Sequence, residues 1–267
     1  MLFIAWLVFT CIGFCMVQSQ IQAKHAHVEL LAGARSNAKI LLGVRFQLEP
    51  GWHIYWTNPG DSGQPPSFHW TLPAGATAGE IHWPLPERLQ TSPTIVDYGY
   101  KHDVLLMVPL RLAGLEQNGS GLNVALEAKW LICREVCLPD HARLTLPLPA
   151  QSKDPHTAQL FASAKALLPR PWPKQWKATV QSRKDEFLVT IVTGRPLTRA
   201  GFFPLDSGQI DNAANQQLTT TPTGASLILK KSDLLLKPVP EVRGVLVLGK
   251  TAYQFHAPVL SPHSALK

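Results

Sequence analysis

Between Val124 and Leu148 two stretches alternate apolar and polar residues with a period of two, and in their connection stand two cysteines four positions apart, Cys133 and Cys137. Val124, Leu126, Ala128, Trp130 and Ile132 share one face of the first stretch, and Ala142, Leu144, Leu146 and Leu148 repeat the pattern in the second. Such alternation marks half-buried strands. Four steps of extended chain would part the two Cα atoms by about 13 Å, whereas a disulfide needs roughly 4.4 to 6.8 Å. If the cysteines pair, the chain must turn between them. The ring they would close is worth only about 2 kcal/mol of loop entropy, less than the roughly 3 kcal/mol of a 15-residue loop. A ring so small is a poor staple, which makes exchange chemistry the better explanation of the pair.

The same alternation, broken by turn residues, runs from Val28 to about Leu148. Lys39 to Leu48 and Val104 to Leu112 are expected strands; Glu49-Pro50-Gly51 turns the chain into Trp52 to Trp56, and Asn58 to Gly63 has loop chemistry. Asp154-Pro155 then has the form of an N-cap with proline at the first helical position, and Leu160, Phe161, Ala164, Leu167 and Leu168 fall on one helical face before Pro169 and Pro171. Phe187 to Val192, Phe202-Phe203, Ser226 to Lys230, Arg243 to Leu248 and Tyr253 to Phe255 form a second set of short strands. The expected fold class is all-β: two immunoglobulin-like β-sandwich domains, 24–150 and 174–267, joined by a short helical linker over 151–173.

Residues Leu2 to Val17 are almost unbroken apolar sequence, ending near Gln18-Ser19-Gln20-Ile21-Gln22-Ala23. That matches a secretory signal over 1–23, with cleavage after Ser19 or Ala23, or an uncleaved anchor. Export removes Cys11 and Cys15 with the leader and places Cys133 and Cys137 in an oxidising compartment, periplasmic or otherwise exported, where a disulfide is permitted. The formal charge of +7 comes from scattered Lys and Arg residues. They make no basic stripe of the kind that nucleic acid requires, so no nucleic-acid partner is expected, and membrane contact is expected only through a partner or the leader. Asn58 to Gly63 lacks the lysine of a phosphate loop. No nucleophile elbow is present, and Asn118-Gly119-Ser120, a glycosylation sequon, is expected to be a turn.

Three segments carry a resemblance to a known family. Gly51-Trp52-His53-Ile54-Tyr55-Trp56-Thr57-Asn58-Pro59-Gly60-Asp61-Ser62-Gly63, Tyr98-Gly99-Tyr100, and Trp130-Leu131-Ile132-Cys133-Arg134-Glu135-Val136-Cys137-Leu138-Pro139 resemble the periplasmic N-terminal region of the DsbD/ScsB thiol:disulfide interchange proteins. Phe202 to Leu205 with Gln209 to Asp211, and Gly244 to Leu248, are similar to later landmarks of the ScsB-like branch. The resemblance implies immunoglobulin-like domains, the first presenting Cys133 and Cys137 as a redox-active pair. It implies as partners a membrane-embedded electron-transfer protein and thioredoxin-like periplasmic proteins, with reducing equivalents passed on to partner disulfides. It also implies that Asp97, Tyr98, Gly99 and Tyr100 form a cap loop shielding the cysteines; spacing alone favours core-packing tyrosines in an ordinary hairpin.

Exchange depends on thiolate fraction, access and leaving-group pKa. Arg134 beside Cys133 would favour the thiolate and Glu135 would oppose it. Trp52, Tyr55 and Trp56 are expected mainly as sandwich core, with lining a binding surface or supporting the cysteine site as their other roles. No cofactor is expected, and the ten histidines show no metal-ligand spacing. Two rival readings stay open: a non-catalytic immunoglobulin-like binding or chaperone module with a structural disulfide, and an envelope copper-binding protein using the two cysteines with a nearby histidine.

Overall fold

The structure, a computed structural model, describes residues 18–36, 38–113, 122–148 and 154–260. Most of the expected leader, with Cys11 and Cys15, and the sequon at Asn118 lie outside the described residues. In chain order the first strands are β1 (Gln20–Ala23), β2 (Ala26–Ser36), β3 (Lys39–Leu48), β4 (His53–Gly60), β5 (Ser67–Thr71), β6 (Ala76–Ala78), β7 (Glu87–Ser92), β8 (Ile95–Lys101), β9 (Asp103–Leu112), β10 (Asn123–Cys133) and β11 (Cys137–Pro147). Helix α1 (Pro155–Ala166) follows. The chain then forms β12 (Lys177–Ser182), β13 (Glu186–Val192), β14 (Ala200–Pro204), β15 (Gln217–Thr221), β16 (Gly224–Lys230), β17 (Glu241–Leu248) and β18 (Thr251–Leu260).

The fold class is as expected, all-β with two sandwich lobes and a short helix between them. In the first lobe the sheet β1-β2-β3-β9-β6 packs on the sheet β11-β10-β4-β8-β7, with β5 pairing β10. The alternating residues close the core: Leu30, Leu42, Val44, Phe46 and Leu106 from one sheet meet Ile54, Trp56, Leu126, Trp130 and Ile132 from the other. In the second lobe the path β14-β17-β18-β12-β13-β16-β15 shares one core, with Phe202, Leu246 and Phe255 against Val180, Phe187, Val189 and Leu227.

Strand β9 is buried on both faces. Its even residues enter the sandwich, while Leu105 and Met107 point outward and are covered by Phe161 and Ala164 of α1. Gly43 leaves the space for this: a Cβ there would lie 2.6 Å from Leu105 Cδ1 and 2.9 Å from Phe161 Cζ. The helix is capped as the sequence implies, Asp154 accepting from the backbone amides of His156 and Thr157. It is docked against the first lobe rather than strung between lobes, and Leu167, expected on its apolar face, is its exposed C-cap. At the other end Gln20–Ala23 pair with β2, and Thr145 N donates to Gln18 O. The boundary expected after Ala23 therefore moves: the folded lobe includes Gln18 to Ala23.

The lobes meet through a mixed contact. Phe203 lies edge-on to Tyr98 and Trp56, with ring centroids 5.4 and 6.4 Å away. Asn58 Nδ2 donates to Pro204 O at 2.8 Å, and Asn212 receives the Tyr98 hydroxyl on Oδ1 while its Nδ2 donates to Asp61.

Candidate functional site

Strands β10 and β11 form one antiparallel hairpin whose last register pair is Cys133 with Cys137. Arg134, Glu135 and Val136 make the turn between them, and Arg134 N donates to Val136 O at 3.3 Å. The required reversal is thus supplied by a hairpin tip, which brings the two Cα atoms to 4.2 Å with the sulfurs bonded. The partners are unequal. Cys133 is 2% exposed, whereas Cys137 and all three turn residues are exposed, Val136 to 60%. Arg134 is committed elsewhere, its guanidinium carbon 5.2 Å from the centre of the Trp52 ring, which also stacks on His25.

The register continues the cysteine pair across the sheet. Cys133 stands opposite His53 of β4, and His53 opposite Lys101 of β8, so Cys137, Cys133, His53 and Lys101 form one cross-strand row. Directly opposed residues share a sheet face. Two residues along β4, on that face, comes Tyr55, whose hydroxyl lies 3.3 Å from Cys137 Sγ. A disulfide sulfur carries no hydrogen, so the hydroxyl donates. The Tyr55 ring is pinned by Gly63, where a Cβ would fall 2.1 Å from ring atom Cζ, and its edge meets His53 at 5.2 Å between centroids. Burial raises the Tyr55 pKa, so the phenol keeps its proton. His53 is 4% exposed and its Nε2 has no hydrogen-bond partner. Burial first, then the charge of Lys101, lowers its pKa to about 4.

The segment Asp97–Tyr100 does not stand over the sulfurs as a loop. It lies inside β8, with β4 on one side and β7 on the other, and its rings belong to the core. Tyr100 donates to Pro84 O and Tyr98 to Asn212. The cause is the alternation that makes β8 a central strand: Tyr98 and Tyr100 point to the core face, and Gly99, the residue opposite Tyr55, has no side chain to offer. The ring beside the exposed sulfur is Tyr55. Asp97 holds the neighbouring loop, accepting from Ser62 N and Oγ at 2.9 Å; burial raises its pKa although those bonds oppose the rise.

A family profile described as "Thiol:disulfide interchange protein DsbD, N-terminal" matches residues 18–149, which contain the hairpin, the cysteine pair and the flanking row. Through these residues the chain belongs to the DsbD N-terminal family. This DsbD-type domain is therefore a thiol:disulfide interchange module, and its paired cysteines are Cys133 and Cys137. Among solved structures, the N-terminal periplasmic domain of ScsB from Proteus mirabilis superposes with a TM-score of 0.70 at 19% identity, covering 91% of this chain and 98% of that one. That likeness spans both lobes and concerns the fold. The GAE domain of GGA2p from Saccharomyces cerevisiae, at a TM-score of 0.29, 11% identity, and 50% and 98% coverage, carries no argument. No curated protein sequence matches the chain.

Sequence reasoning missed His53 and assigned Tyr55 chiefly to the core. One signal was available: His53 and Tyr55 are two apart, hence on one face of a strand, and they sit in one of the three segments that carry the resemblance.

Proposed function

We propose that this protein is an exported thiol-disulfide exchange protein that takes reducing equivalents from a membrane-embedded donor and passes them to partner disulfides through Cys133 and Cys137. The observation that carries the reading is the asymmetry of the pair, in a family of interchange modules: an exposed sulfur at a hairpin tip, bonded to a buried one. In-line attack needs access to the sulfur attacked. A donor thiolate attacks Cys137 Sγ; the S–S bond breaks, its electron pair goes to Cys133, and a mixed disulfide forms at Cys137. A second donor thiol then displaces Cys137, leaving two thiols here and a disulfide on the donor.

The reverse sequence reduces a target. The Cys137 thiolate attacks the target disulfide, and Cys133 resolves the mixed disulfide, releasing the second target thiol. Exposed Val136 gives a thioredoxin-like partner an apolar contact beside the sulfur, and a cleft of about 500 Å³ lined by Lys129, Leu131, Pro139 and His141 runs along the same strand pair. In this reading 24–150, extended back to Gln18, is the redox domain, 151–173 its docked helical connection, and 174–267 a sandwich that positions the first. A periplasmic site is supported by the family and by the apolar leader. Equilibration against glutathione tests the function: a reduction potential above about −300 mV is expected, and a value below it would mark an inert structural bond.

A further inference from the structure

On this face His53 Nε2 is buried without a hydrogen-bond partner, and the exchange steps above leave it unused. A buried nitrogen without a partner costs about 1–3 kcal/mol, and such groups in folded proteins call for an explanation. The row Cys137–Cys133–His53–Lys101 supplies one. We infer that His53 is the hydrogen-bond donor that receives the Cys133 thiolate when the disulfide opens, so that its partner exists only in the reduced protein. This rests on the exchange function proposed above and names the group that stabilises its buried sulfur.

Cys133, at 2% exposure, has almost no water to solvate an anion. Its disulfide partner Cys137 departs with the attacking thiol, and Arg134 is occupied on Trp52. The residue opposite Cys133 on β4, on the same sheet face, is His53, with Lys101 of β8 next in the row and Tyr55, directed to Cys137, beside it. With its pKa near 4 the ring is neutral at pH 7 and carries a single N–H. It acts by donating that hydrogen, not as a cation. The step then balances without proton transfer: the S–S electron pair moves to Cys133 Sγ, and His53, in the tautomer that holds its hydrogen on Nε2, turns that orphaned nitrogen into the donor of a charge-assisted bond. In the reverse direction the same bond holds Cys133 as a thiolate, ready to attack Cys137 Sγ in the mixed disulfide.

The test compares parent, His53→Phe and His53→Gln proteins in glutathione buffers. Loss of the donor is expected to shift the dithiol–disulfide equilibrium about tenfold toward the disulfide in His53→Phe, close to 30 mV, and His53→Gln, which keeps an N–H, is expected to recover most of the shift. In a Cys137→Ala background the thiolate absorbance of Cys133 should titrate about one pH unit higher with Phe than with His. In the isotope-labelled parent, where no substitution can disturb folding, the His53 ring-nitrogen signals should change on reduction, in step with formation of the Cys133 thiolate. An equilibrium in folded His53→Phe within twofold of the parent, or ring-nitrogen signals that are the same in both redox states, would overturn the inference while leaving exchange intact. A parent protein that does not equilibrate with glutathione at all would instead overturn the exchange function on which it rests.

Discussion

Replacing Gly63 by alanine puts the contact between Tyr55 and the disulfide to a direct test. Gly63 has φ +77°, and a Cβ built on it would lie 2.1, 2.3 and 2.4 Å from three atoms of the Tyr55 ring. Ordinary carbon contacts lie near 3.5–4.0 Å, so the ring must swing by more than an ångström, and its hydroxyl cannot stay 3.3 Å from Cys137 Sγ. Two costs add. A non-glycine residue in the left-handed region costs roughly 1–2 kcal/mol, and driving a buried ring about 30° off its rotamer costs roughly 0.5–1.5 kcal/mol. Gly194 separates them, because it has φ +84° with nothing within 4 Å of its would-be Cβ. Urea unfolding of Gly194→Ala should report the backbone cost alone, and Gly63→Ala should lose about 1 kcal/mol more. The rate of glutathione attack on the disulfide should rise severalfold in Gly63→Ala and stay at the parent value in Gly194→Ala. Equal destabilisation of the two variants, with unchanged attack rates, would refute the claim that Gly63 pins Tyr55 against the sulfur.

Replacing Cys133 and Cys137 together by serine should leave a cooperatively folding protein, less stable by about 2 kcal/mol in denaturant, since the ring closed is only five residues long; loss of the cooperative transition would mark the bond as structural. Tyr55→Phe removes the donor to Cys137 and should raise the pKa of that thiol by about one unit, read by alkylation rate against pH in a Cys133→Ala background; an unchanged pKa would show that the hydroxyl does not act on the thiolate. His53 binds its proton more weakly folded, near pH 4, than unfolded, near 6.5. The unfolded chain therefore takes up the proton first: stability is full above pH 6.5 and falls by up to about 3 kcal/mol as pH drops to 4, then levels off, a slope that His53→Gln should abolish in pH-dependent unfolding. Asn212→Ala strips partners from Asp61 and Tyr98 at the contact between lobes and should cost about 2 kcal/mol, with calorimetry showing the two sandwiches melting further apart; a single unshifted transition would count against that role.

The strands were legible because their chemistry is local. Lys39–Leu48 forms β3 with the boundaries that alternation sets, and the paired patterns from Val124 and Ala142 zip residue by residue into the hairpin whose tip is the cysteine pair. The turn between Cys133 and Cys137 followed from chain reach once the two cysteines were taken to pair. What alternation could not settle was which residues from distant strands fall beside the sulfurs. That is a matter of register: only the bridge from Cys133 to His53 places Tyr55 at Cys137 and leaves Asp97–Tyr100 in the next strand. The tyrosines of that segment show the limit well, since aromatic-Gly-aromatic composition is compatible with a hinge or with a central strand. Pairing on both edges decides for the strand. The segment Asn58–Gly63 was expected as a loop, yet Asn58 to Gly60 close β4, and its use was hidden because Asn58, Asp61, Ser62 and Gly63 each serve a residue at least 30 positions away or one across the turn.

Strand β4 ties these pieces together, because its two faces do different jobs. His53 and Tyr55 face the sulfurs, while Ile54 and Trp56 enter the sandwich core, and Trp56 and Asn58 reach the second lobe through Phe203, Pro204 and Ser207. The register irregularity between Tyr55 and Gly60 frees this part of β4 from regular pairing with β8, so the strand's course there depends on other contacts. Asn58 to Pro204, Asp61 to Asn212 and Ser62 to Asp97 supply them, two of the three from the second lobe. A shift of the second lobe would therefore be felt at Tyr55 before it was felt at the cysteines, whose hairpin is paired along its whole length. In the exchange proposed above, the second sandwich acts by fixing the position of the tyrosine hydroxyl beside Cys137 through Asn58 and Asp61, and needs no contact with the disulfide to do so.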